Sequence, residues 1–116
     1  MVERRANVRV RPAADYDVRV ELKEGVVSVR LSVMDVSVTG LGLVIDEMFL
    51  RRQSGEILPL SITLPGHAPF MVQAEIRYSS RTLGGKCGVL FSAIEQSDQA
   101  KLGRAVAELL ERGNAA

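Results

Sequence analysis

In several stretches between Val18 and Phe91 apolar residues recur at every second position. Val18, Val20 and Leu22 alternate with Arg19, Glu21 and Lys23; beyond a turn at Glu24-Gly25, Val27, Val29, Leu31 and Val33 alternate with Ser28, Arg30 and Ser32. Such alternation gives a strand one apolar and one solvated face, so residues 18–34 are expected to form a hairpin with a short glycine-containing loop. Its second strand runs directly into Asp35-Val36-Ser37-Val38-Thr39-Gly40. Gly40 permits a sharp reversal or a positive φ there, and Leu41, Leu43 and Ile45 open the next strand.

Residues 48–55 read as a connection. Ile57 to Leu64 is a strand whose Pro59 points to an edge or a bulge. Past the Pro65-Gly66-His67 turn, Phe70, Val72, Ala74 and Ile76 alternate with Met71, Gln73, Glu75 and Arg77; Gly84-Gly85 marks a further reversal, and Cys87 to Phe91 closes the series. Six expected strands with short connections and no interposed helix predict an all-β antiparallel barrel or sandwich over residues 18–92.

The period then lengthens. Leu102, Val106, Leu109 and Leu110 fall at i, i+4, i+7 and i+8, which predicts a C-terminal helix over 98–112. Ser97 is the expected N-cap, Asp98 and Arg112 match the helix dipole, and Gly113 is a fitting stop. Gly103 weakens the interior by about 1 kcal/mol, and a helix this short is marginal in water, so its apolar stripe must dock on the β portion or on a partner.

Composition narrows the function classes. With 116 residues and 47% hydrophobic content, the chain is expected to form one domain around one modest core. Net charge is +1, so no general attraction to nucleic acid or an acidic membrane is expected, and the basicity that matters is local. The lone Cys87 excludes an internal disulfide and a cysteine-based zinc site. No apolar stretch follows the charged start Met1-Val2-Glu3-Arg4-Arg5, so a cytoplasmic protein without signal peptide or membrane span is expected.

Catalytic chemistry finds little support. The single His67 sits in a Pro-Gly turn, no Cys–His or Ser–His–Asp set is apparent, and Gly84-Gly85 lacks the Lys-Ser/Thr pair of a phosphate-binding loop. Cys87 beside Gly88 on an apolar strand is expected to be a small core filler. No enzyme activity, resident cofactor or metal is expected.

The concentrated chemistry lies at the start, where Arg4, Arg5, Arg9 and Arg11 fall within eight residues and only Glu3 opposes them. Twelve of the fifteen basic residues are arginine, which favours forked recognition over simple charge. A guanidinium can hold a phosphate through two parallel hydrogen bonds, grip the O6/N7 edge of guanine or stack on a base, so a basic arm over residues 1–14 suits a guanine nucleotide. Taken alone, such a run is ordinarily a solvated terminal arm, and Asp35-x-Ser37-x-x-Gly40 alone ordinarily fixes a turn. Their joint occurrence, in this order and within a β pattern, carries the functional reading.

At these residues the chain resembles the PilZ domain family, bacterial receptors for cyclic di-GMP. Arg5-Ala6-Asn7-Val8-Arg9, preceded by Arg4, matches the family's RxxxR motif, and Asp35-Val36-Ser37-Val38-Thr39-Gly40 matches its (D/N)xSxxG motif. The resemblance continues through Gly55, the Gly88-Val89-Leu90-Phe91 strand and the closing helix. It implies a six-stranded antiparallel β-barrel with a C-terminal helix that binds cyclic di-GMP on its outer surface beneath the arm. Arg5 and Arg9 would then engage phosphate and the guanine Hoogsteen edge, with Arg4 adding charge or stacking. Asp35 would accept from a guanine amino or imino group, Ser37 would donate or accept, and Gly40 would let the backbone turn close to the ligand. The free arm would gain little by docking until the ligand's phosphates order it over residues 35–40, and the signal would pass to a downstream protein partner. Two rival classes stand beside this reading: an interaction module of the same fold that does not use the nucleotide, and a small-barrel nucleic-acid binder, for which Tyr16, Tyr78 and three Phe offer few stacking platforms.

Overall fold

The computed structural model describes residues 8–116. Its seven strands are β1 (Arg19–Glu24), β2 (Val27–Leu31), β3 (Val33–Val36), β4 (Gly40–Val44), β5 (Ile57–Thr63), β6 (Phe70–Ser79) and β7 (Lys86–Ala93), followed by α1 (Gln96–Glu111). The strands form one antiparallel sheet in the order β2-β1-β5-β6-β7-β4-β3. The inward residues follow the alternation: Val20 and Leu22 of β1, Leu58, Leu60 and Ile62 of β5, Val72, Ala74 and Ile76 of β6 and Val89 of β7 are all buried.

Seven strands in an open ladder replace the six-stranded barrel expected from the sequence, and the cause is local. The apolar run 27–34 reads as one strand, but it breaks at Ser32. The segment before it, β2, pairs with β1; the segment after it, β3, pairs with β4. The two edges of the sheet are therefore consecutive in the chain, separated by Ser32 alone, whose carbonyl accepts from the Val44 amide at 2.9 Å. A register shift between Val33 and Asp35 accompanies the bend. Pro59 lies in an interior strand, yet the β1 ladder ends opposite Leu60, so proline stands where β5 keeps a neighbour on one side only.

Helix α1 docks through Leu102, Ala105, Val106 and Leu109, while Leu110, expected on that face, is 44% exposed. The helix starts earlier than predicted, with Glu95 at the N-cap and no side-chain cap, so Ser97 lies within the first turn. Arg112 is the C-cap residue, one step beyond the last helical position. Gly113, at φ +80°, donates to the Leu110 carbonyl and Asn114 to that of Leu109, a paired closure that requires the left-handed conformation glycine adopts without strain.

The largest departure from expectation is the arm. Arg4 and Arg5 lie outside the described residues, but the segment from Val8 onward lies on the fold. Val10 is fully buried and exchanges two backbone hydrogen bonds with Val36 of β3, at 2.9 and 2.8 Å. On its other side Arg11 donates to the Asn114 carbonyl at 2.7 Å, and Ala116 donates to that of Arg9 at 3.0 Å. The arm is thus stitched between β3 and the C-terminal tail. The expectation that it gains little by docking fails here because Val10, with Val8 and Ala13 partly buried against the same core, supplies apolar burial among the arginines.

Candidate functional site

The backbone pairing of Val10 with Val36 sets the position of Arg9 against the residue before Val36. The Arg9 guanidinium reaches the Asp35 carboxylate at 2.6 Å, and Lys86 of β7 reaches the other carboxylate oxygen at 2.8 Å. Asp35 is buried, with 6% of its surface exposed, and it stands between two half-exposed cations. Burial pushes its carboxyl up, but hydrogen bonds from Lys86 and Arg9, reinforced by their charges, outweigh that and hold it below the usual carboxylate range.

Two glycines create the space for this cluster. Gly42 lies opposite Asp35 in the β3–β4 register, and a Cβ at Gly42 would stand 2.6 Å from Lys86 Cε and 2.7 and 2.8 Å from the two Asp35 carboxylate oxygens. The ion pair therefore occupies the room a side chain would take. Gly40, one of the motif residues, is needed for a different reason from the one expected. Its φ is not positive; a Cβ there would collide with the Val89 carbonyl oxygen of β7, so glycine serves close strand approach and not a reversal.

Ser37 is likewise bound into its own turn. It is buried, and its hydroxyl accepts from the amides of Thr39 at 3.2 Å and Gly40 at 3.1 Å and lies within reach of the Gly40 carbonyl and the Thr39 hydroxyl. The Ser37 amide donates to the Gly40 carbonyl at 2.9 Å, closing the turn between β3 and β4. Of the residues singled out from the sequence, Arg9 and Asp35 thus meet at one surface, Ser37 and Gly40 build the turn beside it, and Arg4 and Arg5 lie outside the described residues. Lys86 and Gly42 were missed. Lys86 follows a glycine reversal with no motif around it, and Gly42 reads as an ordinary strand glycine; the pairing of β3 with β4 brings Gly42 to Asp35, and that of β4 with β7 brings Lys86.

The PilZ domain profile matches residues 3–108, nearly the whole chain. The chain belongs to the PilZ domain family. The fold agrees with those of several solved structures. The PilZ domain of Escherichia coli YcgR, solved with c-di-GMP, superposes with a TM-score of 0.66 at 12% identity, covering 90% of each chain. The Bacillus subtilis inhibitor of motility MotI/DgrA gives 0.68 at 24% identity, covering 91% of this chain and 49% of that one. The K. pneumonia MrkH–c-di-GMP complex gives 0.68 at 14% identity, covering 90% of this chain and 52% of that one. At these identities the likeness is one of fold, and the chain spans about half the length of the last two proteins. A search of the curated proteins gives no significant match.

Away from this surface, among the described residues, no group of three or more His, Cys, Asp or Glu side chains is placed to hold a metal ion. No helix among them is long and apolar enough to cross a membrane. Cys87 is buried, and burial pushes its thiol up, away from the reactive thiolate.

Proposed function

We propose that this PilZ domain binds cyclic di-GMP on the face where Arg9, Asp35 and Lys86 meet, and that it is a non-catalytic cytoplasmic receptor that hands the signal to a protein partner. The observation that carries the reading is the Arg9–Asp35 contact at 2.6 Å, which brings the two halves of the sequence pattern to one point. Family membership and the c-di-GMP complexes of YcgR and MrkH support it.

The chemistry follows from charge exchange. In the free protein Asp35 holds both cations; a ligand phosphate competes for them, offering charge-assisted bonds of the same kind. Asp35, freed on one side, becomes an acceptor for the amino and imino hydrogens of guanine, a carboxylate being acceptor-only when ionised. Arg4 and Arg5 add phosphate or base contacts from the same arm. Ser37 and Gly40 contribute by holding the turn and not by touching ligand, and Gly42 by leaving room for Lys86 and Asp35 to rearrange. Since the arm from Val8 is already docked, the signalling change on this reading is the exchange of the Arg9–Asp35 pair for ligand contacts.

Titration with cyclic di-GMP and with a short single-stranded oligonucleotide tests this. Saturable binding of the dinucleotide that Asp35→Ala abolishes, with no comparable oligonucleotide binding, is the expected outcome; binding unaffected by Asp35→Ala overturns it.

A further inference from the structure

Helix α1 buries only part of its apolar surface on the fold. Leu102, Ala105, Val106 and Leu109 dock, but Leu110 stands exposed with Ala107 beside it. Both line a groove of about 360 Å³ whose other walls are Gly103 and Val106 of the helix, Val38 of the β3–β4 turn and Val8 of the arm. None of the six is polar. Gly103 makes the hollow: a Cβ there would meet only Val38 Cγ1, at 3.8 Å, so the groove is open at this point because the residue has no side chain and not because the backbone forbids one. A leucine standing in water beside an apolar hollow marks a surface that gains by being covered.

The charges along the helix identify what covers it. The ion pairs of α1 use Asp98 with Lys101 and Glu108 with Arg112, whereas Arg104 and Glu111 are exposed and form no ion pair among the described residues. Gly103, Ala107 and Leu110 fall at i, i+4 and i+7 and share one stripe; Arg104 and Glu111, seven residues apart, lie together along one side of it, and Gly103 and Leu110 lie toward the other. In a two-fold contact residue i meets j and j meets i. If a second copy lies antiparallel with the axis at Ala107, Leu110 stands opposite Gly103 of the other copy and Arg104 opposite Glu111 of the other copy, each contact made twice. A parallel pair would set Arg104 on Arg104 and Glu111 on Glu111. The antiparallel two-fold thus supplies a side chain for the hollow and an opposite charge for each unpaired one.

We infer that α1 is a surface for self-association, on which two copies of this chain pack antiparallel about Ala107, Leu110 of each seated at Gly103 of the other and Arg104 paired with Glu111. The small residues at 103 and 107 let the helix axes approach closely. The surface does not depend on nucleotide, although it borders the site proposed above, since Val8 precedes Arg9 and Val38 follows Ser37. One pair of short helices lies at the low end of specific interfaces, below about 1,200 Å² in total, so the dimer is weak and reversible.

Sedimentation equilibrium of the intact chain without nucleotide, from about 10 μM to about 1 mM and with thermal melts alongside, tests this. The parent is expected to pass from monomer to dimer across that range. Arg104→Glu and Glu111→Arg each set like charges against one another and should raise the dissociation constant at least about 10-fold, while the double variant Arg104→Glu/Glu111→Arg restores the parent's value. An equimolar mixture of the two single variants should form the dimer that neither forms alone, because one then carries two carboxylates where the other carries two guanidinium groups. Leu110→Ala removes the inserted side chain and Gly103→Leu fills the hollow, each for a loss of about 10-fold or more with no fall in melting temperature, leucine being the better helix former at 103. Should Gly103→Leu melt early, the charge variants decide alone, since both their residues are exposed. A parent that stays monomeric to about 1 mM overturns the inference. So does a dimer that the single charge variants leave unchanged or the double variant fails to restore, which would place the contact on another surface.

Discussion

The arm segment around Arg9 and the turn Asp35–Gly40 meet at one surface, and they are built in opposite ways. In the turn, Ser37 is buried with its hydroxyl committed to neighbouring backbone, and Gly40 is fixed by the Val89 carbonyl. In the arm, the backbone is anchored by Val10, but the Arg9 side chain stays half-exposed and its ion pair is open to exchange. On the proposed reading, the chemistry that a ligand takes over is carried by the arm, Asp35 and Lys86, while Ser37 and Gly40 hold the turn.

That contrast is broken most severely at Gly40. Gly40→Val drives a side chain into the β7 backbone, which cannot rotate away, and should cost about 3 kcal/mol of stability by overpacking. A denaturant midpoint equal to that of the parent would show that β4 and β7 separate without cost. Arg9→Ala should do the reverse. It removes a charge-assisted contact to the ligand, so affinity for cyclic di-GMP should drop by roughly 1.5–3 kcal/mol, while Lys86 still partners Asp35 and the melting curve moves little. Arg9→Lys should recover only part of the affinity, because an ammonium lacks the planar fork. If Arg9→Ala unfolds the protein instead, the arm is structural and the contrast disappears.

Ser37→Ala sharpens the same point at smaller scale. It leaves the Thr39 and Gly40 amides without their hydroxyl acceptor, for an expected loss of about 1–2 kcal/mol in chemical denaturation, with affinity falling only as far as the turn loosens. The smallest effect is on pH dependence. Asp35 has a depressed folded-state pKa, so its contribution to stability is fully present above the unfolded carboxylate value near 4 and is lost as pH falls through the lower folded value. Melting temperatures of the parent should therefore decline below about pH 4 more steeply than those of Asp35→Asn, which has no carboxylate to titrate there. Parallel slopes would mean that the pair with Arg9 and Lys86 adds nothing to folding.

What the sequence disclosed, and what it withheld, follows from the range of the interactions. Strand alternation and the helical stripe are set by neighbours a few residues apart, so the strand segments and the helix were legible, as was the juxtaposition of Arg9 with Asp35 through the resemblance. The break at Ser32 was not, because nothing in Leu31-Ser32-Val33 distinguishes one strand from two; only the partners on either side do. The roles of Gly42 and Lys86 depend on which strands pair, and Lys86 lies many tens of residues from Asp35 in the chain. Burial of Val10 was hidden for a simpler reason, since Val8-Arg9-Val10-Arg11 offers a single repeat of the alternation before Pro12 ends it.

Selectivity between bases tests the central claim most directly. On the proposed reading Asp35 accepts from the amino and imino hydrogens of guanine, which adenine does not present together, so calorimetric titration of the intact chain with cyclic di-GMP and cyclic di-AMP separates base recognition from phosphate attraction. Saturable binding of cyclic di-GMP is predicted, at least about 10-fold tighter than any binding of cyclic di-AMP, because a buried acceptor left unmatched costs roughly 1–3 kcal/mol. Equal affinity for the two, or heat from neither, would contradict it.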